Sequence, residues 1–163
     1  MALFTNQVRN RLSVYKCPNT LEVAHFFGIK NLFEAKVTDL NNGVLTLACA
    51  ELNTVLKALA IHGRDYLRGT RVIVGVRPEN IEIMGEMNSG AVEMNRLHGR
   101  ITTLVEKGGS HTLLFAPDGS NRVIEVEIRN EMFHRLNPKT DQNLSISLNH
   151  ERIFLISWSP TLQ

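Results

Sequence analysis

Six histidines, two cysteines and one closely spaced carboxylate pair are the side chains whose types suit metal binding, nucleophilic attack or proton transfer. His25, His62, His98, His111, His134 and His150 are dispersed, and none stands at the short spacing that lets two imidazoles share a zinc ion. Cys17 and Cys49 form no CxxC knuckle and are too few for a disulfide framework, so they read as small apolar residues of a reducing compartment. Glu125 and Glu127 share one strand face and have the reach for a divalent ion. The alternating Glu/Val/Glu/Ile run around them reads more simply as the wet side of an amphipathic strand. No glycine is followed by lysine, so no P-loop cradles a phosphate, and GxGxxG, GxSxG and HExxH are also absent. No catalytic residue, metal ligand or cofactor is expected.

The elements that would position such groups are short. Val8, Leu12 and Tyr15 recur at helical spacing, and Pro18 interrupts that helix by lacking an N–H. Asn19 or Thr20 then caps a second helix with Glu22 in its first turn, and Gly28 suits its end. From Leu32 the period changes to that of strands. Leu32–Leu40 and Val44–Ala48 flank an Asn41-Asn42-Gly43 turn, and Asn53–Leu59 suits a strand or a short helix. Arg71–Val76 and Ile81–Ile83 follow, separated by Pro78. Residues 84–91 are small and polar enough for a linker. A second series comprises Asn95–Glu106, His111–Ala116, Val123–Ile128, a helical turn at Glu131–Leu136, then Leu144–Leu148 and Ile153–Ile156. The pattern predicts a mainly β protein: a helical lead-in over 1–31, small barrels over 32–86 and 92–157, and a tail over 158–163.

The 163 residues suffice for a core without disulfides. A hydrophobic fraction of 43% with 21% charged residues excludes the disordered class. The net charge of +2, without a basic run or an interleaved aromatic ladder, argues against nucleic acid. No apolar run approaches a membrane span, and the first residues lack the features of a secretory signal, so direct membrane insertion is not expected and a cytoplasmic location is.

Two stretches are more specific. Tyr15-Lys16-Cys17-Pro18 followed by Val23-Ala24-His25-Phe26-Phe27-Gly28-Ile29-Lys30-Asn31, and then Val74-Gly75-Val76-Arg77-Pro78-Glu79-Asn80-Ile81, occur in an order that resembles ATPase subunits of importer-type ABC transporters just past their nucleotide-binding domain. The first resembles the exit helices, the second the transport-associated OB (TOBE) domain. Asn95–Ile101, Val126–Ile128, Phe133–Leu136 and the last two strands are similar to a molybdate-type (molbindin-like) repeat. The resemblance implies two OB-like barrels, with Tyr15 and Phe26 packing the exit helices onto the first. Pro18 and Gly28 would set the breaks, Asn31 completes the first motif, and Arg77 and Glu79 would pair exposed across Pro78.

The resemblance also implies a non-catalytic regulatory and dimerisation module that joins ABC ATPase and permease subunits through its parent chain. Residues 1–7 do not separate a C-terminal piece of that subunit from a separate gene product, but a start inside the exit-helix region favours the piece. A second reading is a sensor or store for a small molecule or oxyanion. In molybdate-type relatives a Ser-x-Arg-Asn pattern and a late lysine help hold the anion. Here those places are Val92, Met94, Asn95 and Asn149, so only one amide is retained. Asn95, Arg96, Arg129 and Asn149 are the candidate ligand residues.

Overall fold

The computed structural model describes residues 17–84 and 95–160. Tyr15, the helix predicted before Pro18, Val92, Met94 and nearly all of the linker lie outside the described residues. Helix α1 (Leu21–Phe26) precedes β1 (Leu32–Asn41), β2 (Val44–Cys49), β3 (Thr54–Leu59), β4 (Arg71–Gly75) and β5 (Ile81–Met84). Then come β6 (Arg96–Lys107), β7 (Ser110–Pro117), β8 (Ile124–Arg129), α2 (Asn130–Leu136), β9 (Asn143–Leu148) and β10 (Phe154–Ser157). The fold is mainly β and OB-like, as expected.

Local chemistry explains the punctuation. Thr20 Oγ1 accepts from Val23 N at 3.2 Å, capping α1. At its other end Gly28, at φ +69°, lets Gly28 N donate to His25 O and Ile29 N donate to Ala24 O, which closes the last turn. Asn42 and Gly43 both take positive φ, the backbone that a two-residue hairpin turn between twisted strands requires. The ambiguous stretch at 53–59 is strand β3, because Asn53 adopts a left-handed conformation and turns the chain back along β2.

Every described strand pairing is antiparallel, in two five-stranded sheets. One runs β10-β4-β1-β2-β3, the other β5-β9-β6-β7-β8. The sheets do not divide where the expected lobes divide. β5, placed by sequence in the first lobe, pairs with β9 of the second, and β10 pairs with β4 of the first. Each half thus lends its last strand to the other. A single apolar core runs through both sheets, from Phe33, Leu45, Leu47 and Leu56 to Ile101, Phe115, Ile124 and Ile146.

The two halves repeat one another in detail. Bulges interrupt β1 between Val37 and Asp39, and β6 between Ile101 and Thr103. Between them Thr38 Oγ1 donates to Thr46 O and Thr102 Oγ1 donates to Leu114 O, each at 3.1 Å. Val76 N donates to Asn31 O and Leu148 N to Asn95 O, again both at 3.1 Å. Asn31-Leu32-Phe33 and Asn95-Arg96-Leu97 therefore enter their sheets at equivalent points.

Those two asparagines join the halves. The Asn31 amide, fully buried, donates to Glu125 O and accepts from Glu125 N, both at 2.8 Å. The Asn95 amide, 6% exposed and on a residue at φ +58°, accepts from Lys57 N at 2.6 Å and donates to Lys57 O at 2.7 Å and Leu148 O at 2.9 Å. Glu125 lies on β8 and Lys57 on β3, the outermost strands of the two sheets. A primary amide offers the same donor and acceptor pair as a peptide unit, so each asparagine serves as a one-residue strand on the other half's open edge.

Helix α1 covers the outer face of β4 and β10. Ala24 and Ile29 bury against Ile73, Phe154 and Ile156, while Val72, Val74 and Leu155 face the main core. This accounts for the continuous apolar runs Val72–Val74 and Phe154–Ile156, since both faces of these strands are dry. Phe26 corrects the sequence expectation. It is 84% exposed and packs nothing onto the barrel; Leu21 and Phe27, on the other side of α1, meet the cluster instead.

Three outcomes are expected. Asn31→Ala strands the Glu125 N–H and C=O and should lower the unfolding free energy by about 2–4 kcal/mol in urea. Asn31→Asp keeps an acceptor but sets a carboxylate oxygen against Glu125 O; it should be destabilised at pH 7 and regain part of the loss, relative to the wild type, near pH 4. Burial raises the Cys49 thiol above its ordinary 9.0, so the unfolded chain loses this proton first. Urea stability should then fall as pH rises above about 9, with a smaller fall in Cys49→Ala.

Candidate functional site

Of the sequence-predicted motif residues, Asn31 lies at the seam between the halves. Lys30 Nζ donates to Glu125 Oε1 at 2.8 Å, beside the Asn31 amide pair, and this contact raises the lysine above its usual range. Glu125 is thereby engaged through its backbone and its carboxylate, whereas the sequence reading left it on a solvated face. No group of three or more His, Cys, Asp or Glu side chains is arranged to hold a metal among the described residues.

Arg77 also differs from expectation. It was read as half of an exposed ion pair, yet its side chain is 7% exposed and lies 3.8 Å from Glu79 Oε1, at the outer limit of an ion pair. Its guanidinium carbon sits 6.0 Å from the centre of the Phe27 ring. Arg77 therefore connects α1 to the turn Pro78–Asn80, where Asn80 N donates to Arg77 O at 3.0 Å. Pro78 opens that turn and contributes φ rather than a donor.

Asn149 stands at the equivalent point of the second half. Its backbone oxygen accepts from Arg152 N, as Arg77 O does from Asn80 N. Its side-chain oxygen accepts from Glu151 N at 2.9 Å. The four candidate ligand residues are not brought together as one site. The Asn95 amide is consumed by Lys57 and Leu148, and Asn149 is turned on its own loop. Arg129 lines a groove of ≈ 880 Å³ between β5, β8 and α2, with Ile81, Ile83 and Glu82. Arg96 lines a second groove, of ≈ 760 Å³, with His98 and Ser145.

A third depression lies beside α1, lined by His25, Ile29, Arg122 and Trp158. Its charges are paired locally. Arg122 bonds Glu51 and donates to Leu32 O at 3.1 Å, and Arg71 pairs with Glu34 while stacking 3.5 Å from the Trp158 ring centre. Sequence reasoning missed Lys57 and Lys30 at the seam. The only trace was the repeated Asn-x-[Phe/Leu] entry to β1 and β6, which the spacing argument did not align.

This architecture defines a class: paired OB-like barrels that exchange their last strands and interlock through buried amides. The profile of the TOBE domain family matches residues 74–156, just over half of the chain, and the chain belongs to that family. It is 29% identical over 105 residues to the spermidine/putrescine import ATP-binding protein PotA of Trichodesmium erythraeum (strain IMS101). That alignment covers 63% of this chain and 27% of PotA, so the chain spans about a quarter of the relative's length. A solved structure of the cytoplasmic molybdate-binding protein ModG with molybdate bound matches with a TM-score of 0.71. The match covers 80% of this chain and 97% of that one at 16% identity, which shows the fold.

The buried position of Arg77 makes a specific demand. Arg77→Ala should detach α1 from the turn and cost about 1–3 kcal/mol. Glu79→Ala, which removes only the distant and half-exposed partner, should cost under about 1 kcal/mol in the same denaturation assay.

Proposed function

We propose that the chain is a non-catalytic regulatory and assembly module of an ABC import system, working at the cytoplasmic face of the membrane as the C-terminal part of an ATP-binding subunit. Supporting this is the TOBE match over residues 74–156 together with the alignment to an import ATP-binding protein over a minor part of that protein's length. The absence of a phosphate-cradling glycine loop from the sequence agrees with it. ATP turnover then belongs to the region preceding such a module in the parent subunit.

Self-association is part of the same proposal. Val55 and Leu59 on β3, with Ile61 beyond it, are 56%, 42% and 38% exposed. They form an apolar margin at the outer edge of one sheet, where a second copy would exclude water. Apolar side chains at an isologous contact contribute twice, once from each copy.

The second reading is a small oxyanion binder, supported by the fold shared with ModG along nearly all of that chain. The one retained amide counts against it, because Asn95 already spends its polar atoms within the protein. Titration calorimetry with molybdate, tungstate and sulfate separates the readings. The assembly reading expects no heat at about millimolar anion.

The purified chain is expected to hydrolyse no ATP above a buffer control and to sediment as a dimer. Leu59→Glu should shift it to the monomer without loss of secondary structure. Sustained ATP turnover, or a strictly monomeric chain that also fails to join an ATPase-bearing partner, defeats the proposal.

A further inference from the structure

The groove lined by Arg96, His98 and Ser145 has a composition that neither the repeat architecture nor the assembly reading explains. Arg96 and His98 lie two residues apart on β6, and so on one face of the strand. Ser145 of β9 sits directly across from His98, with Ser145 Oγ 2.7 Å from His98 Nδ1. Arg96 makes no ion pair among the described residues. Its Nε is shielded from solvent and has no hydrogen-bond partner among them. An unanswered guanidinium N–H in a recess costs free energy unless something there accepts it.

The Ser145–His98 contact supplies a second donor whichever way its proton lies. If the hydroxyl donates to Nδ1, the ring's Nε2 carries a hydrogen with no role in that bond. If Nδ1 donates to the hydroxyl, the Oγ–H is free to turn elsewhere. In either case the pair leaves one donor unused, in the groove that Arg96 also lines. The remaining lining includes Ile83, Leu136, Leu144 and Pro138, which are apolar, and Asp118, an exposed residue just after β7.

We infer that this groove binds a small organic acid, its carboxylate or phosphate held by Arg96 with the Ser145–His98 pair and its apolar body laid on Ile83, Leu136 and Leu144. Size argues for a body beyond the anion. A space of ≈ 760 Å³ is within the range of organic-ligand sites and much larger than a bare tetrahedral oxyanion requires. Charge argues for the anion, because the guanidinium is partly shielded and makes no ion pair among the described residues, while the Asp118 carboxylate is exposed and screened. Bidentate geometry makes arginine well suited to carboxylate or phosphate. The site is separate from the Asn95 and Asn149 amides and does not depend on dimerisation or on an ATPase partner.

The test is a titration of the full chain followed by amide NMR, with phenyl phosphate and benzoate as probes, inorganic phosphate as the anion without a body, and phenol as the body without an anion. Phenyl phosphate or benzoate should shift the amides around Arg96, His98 and Ser145 in a saturable way. Inorganic phosphate and phenol should each bind at least about tenfold more weakly. Arg96→Gln should weaken binding about tenfold or more, Arg96→Lys less, and Ser145→Ala about threefold or more. Asp118→Asn should tighten it modestly. Arg100→Gln, four residues beyond Arg96 on the same strand and exposed, should leave it unchanged. Absence of shifts at about 10 mM of either organic probe overturns the inference. So does equal weakening by Arg96→Gln and Arg100→Gln, which would mean diffuse surface attraction. The native amide spectrum of each variant without probe shows that its fold is retained.

Discussion

Two side-chain amides carry the organisation of this protein. Asn31 and Asn95 each leave their own half and complete the backbone hydrogen bonding of an outermost strand in the other, at Glu125 and Lys57. An open sheet edge is a row of unpaired donors and acceptors that solvent or another chain must answer. Here the protein answers part of it internally, and the answer fixes how the halves sit. Because the amide presents donor and acceptor together, only a rigid relative placement satisfies both bonds. The strand exchange works in the same direction, since β5 and β10 each close the partner sheet and make the halves mutually dependent. One continuous core follows, in place of two abutting ones.

That dependence bears on function. In the role proposed above the module would have to transmit displacement without deforming internally, and two barrels locked through buried amides and exchanged strands form a stiff body. The lead-in helix is fixed by different means. Its last turn is closed through Gly28, its apolar face meets Ile73 and Ile156, and Arg77 reaches Phe27 from the opposite turn. Phe26 instead is an exposed apolar side chain on that helix.

The two halves have also diverged where the repeat allows it. Arg77 and Asn149 occupy equivalent backbone positions, yet one side chain is drawn inward to an aromatic ring and the other closes its own loop. The grooves divide in the same way. Arg129 borders one recess between β5 and β8, and Arg96 borders another across β5, β9 and β6. Shared backbone bonding keeps the halves alike; the side chains facing outward are where each has acquired its own chemistry.

Much of this was legible in the sequence. Alternation and glycine or asparagine turns located nearly all the strands, Pro18 and Gly28 bounded the short helix, and the Arg77-Pro78-Glu79 motif pointed to the family. These features are local: pleat period, positive φ and a missing N–H act within a few residues. What the sequence left open depended on contacts between residues far apart along the chain. Which sheet β5 and β10 join, whether 53–59 is strand, that Phe27 rather than Phe26 packs inward, and that Arg77 is buried follow from the path of the whole chain. An asparagine before a strand reads as a turn former until tertiary structure places a peptide edge, 94 residues away for Asn31, within reach of its amide.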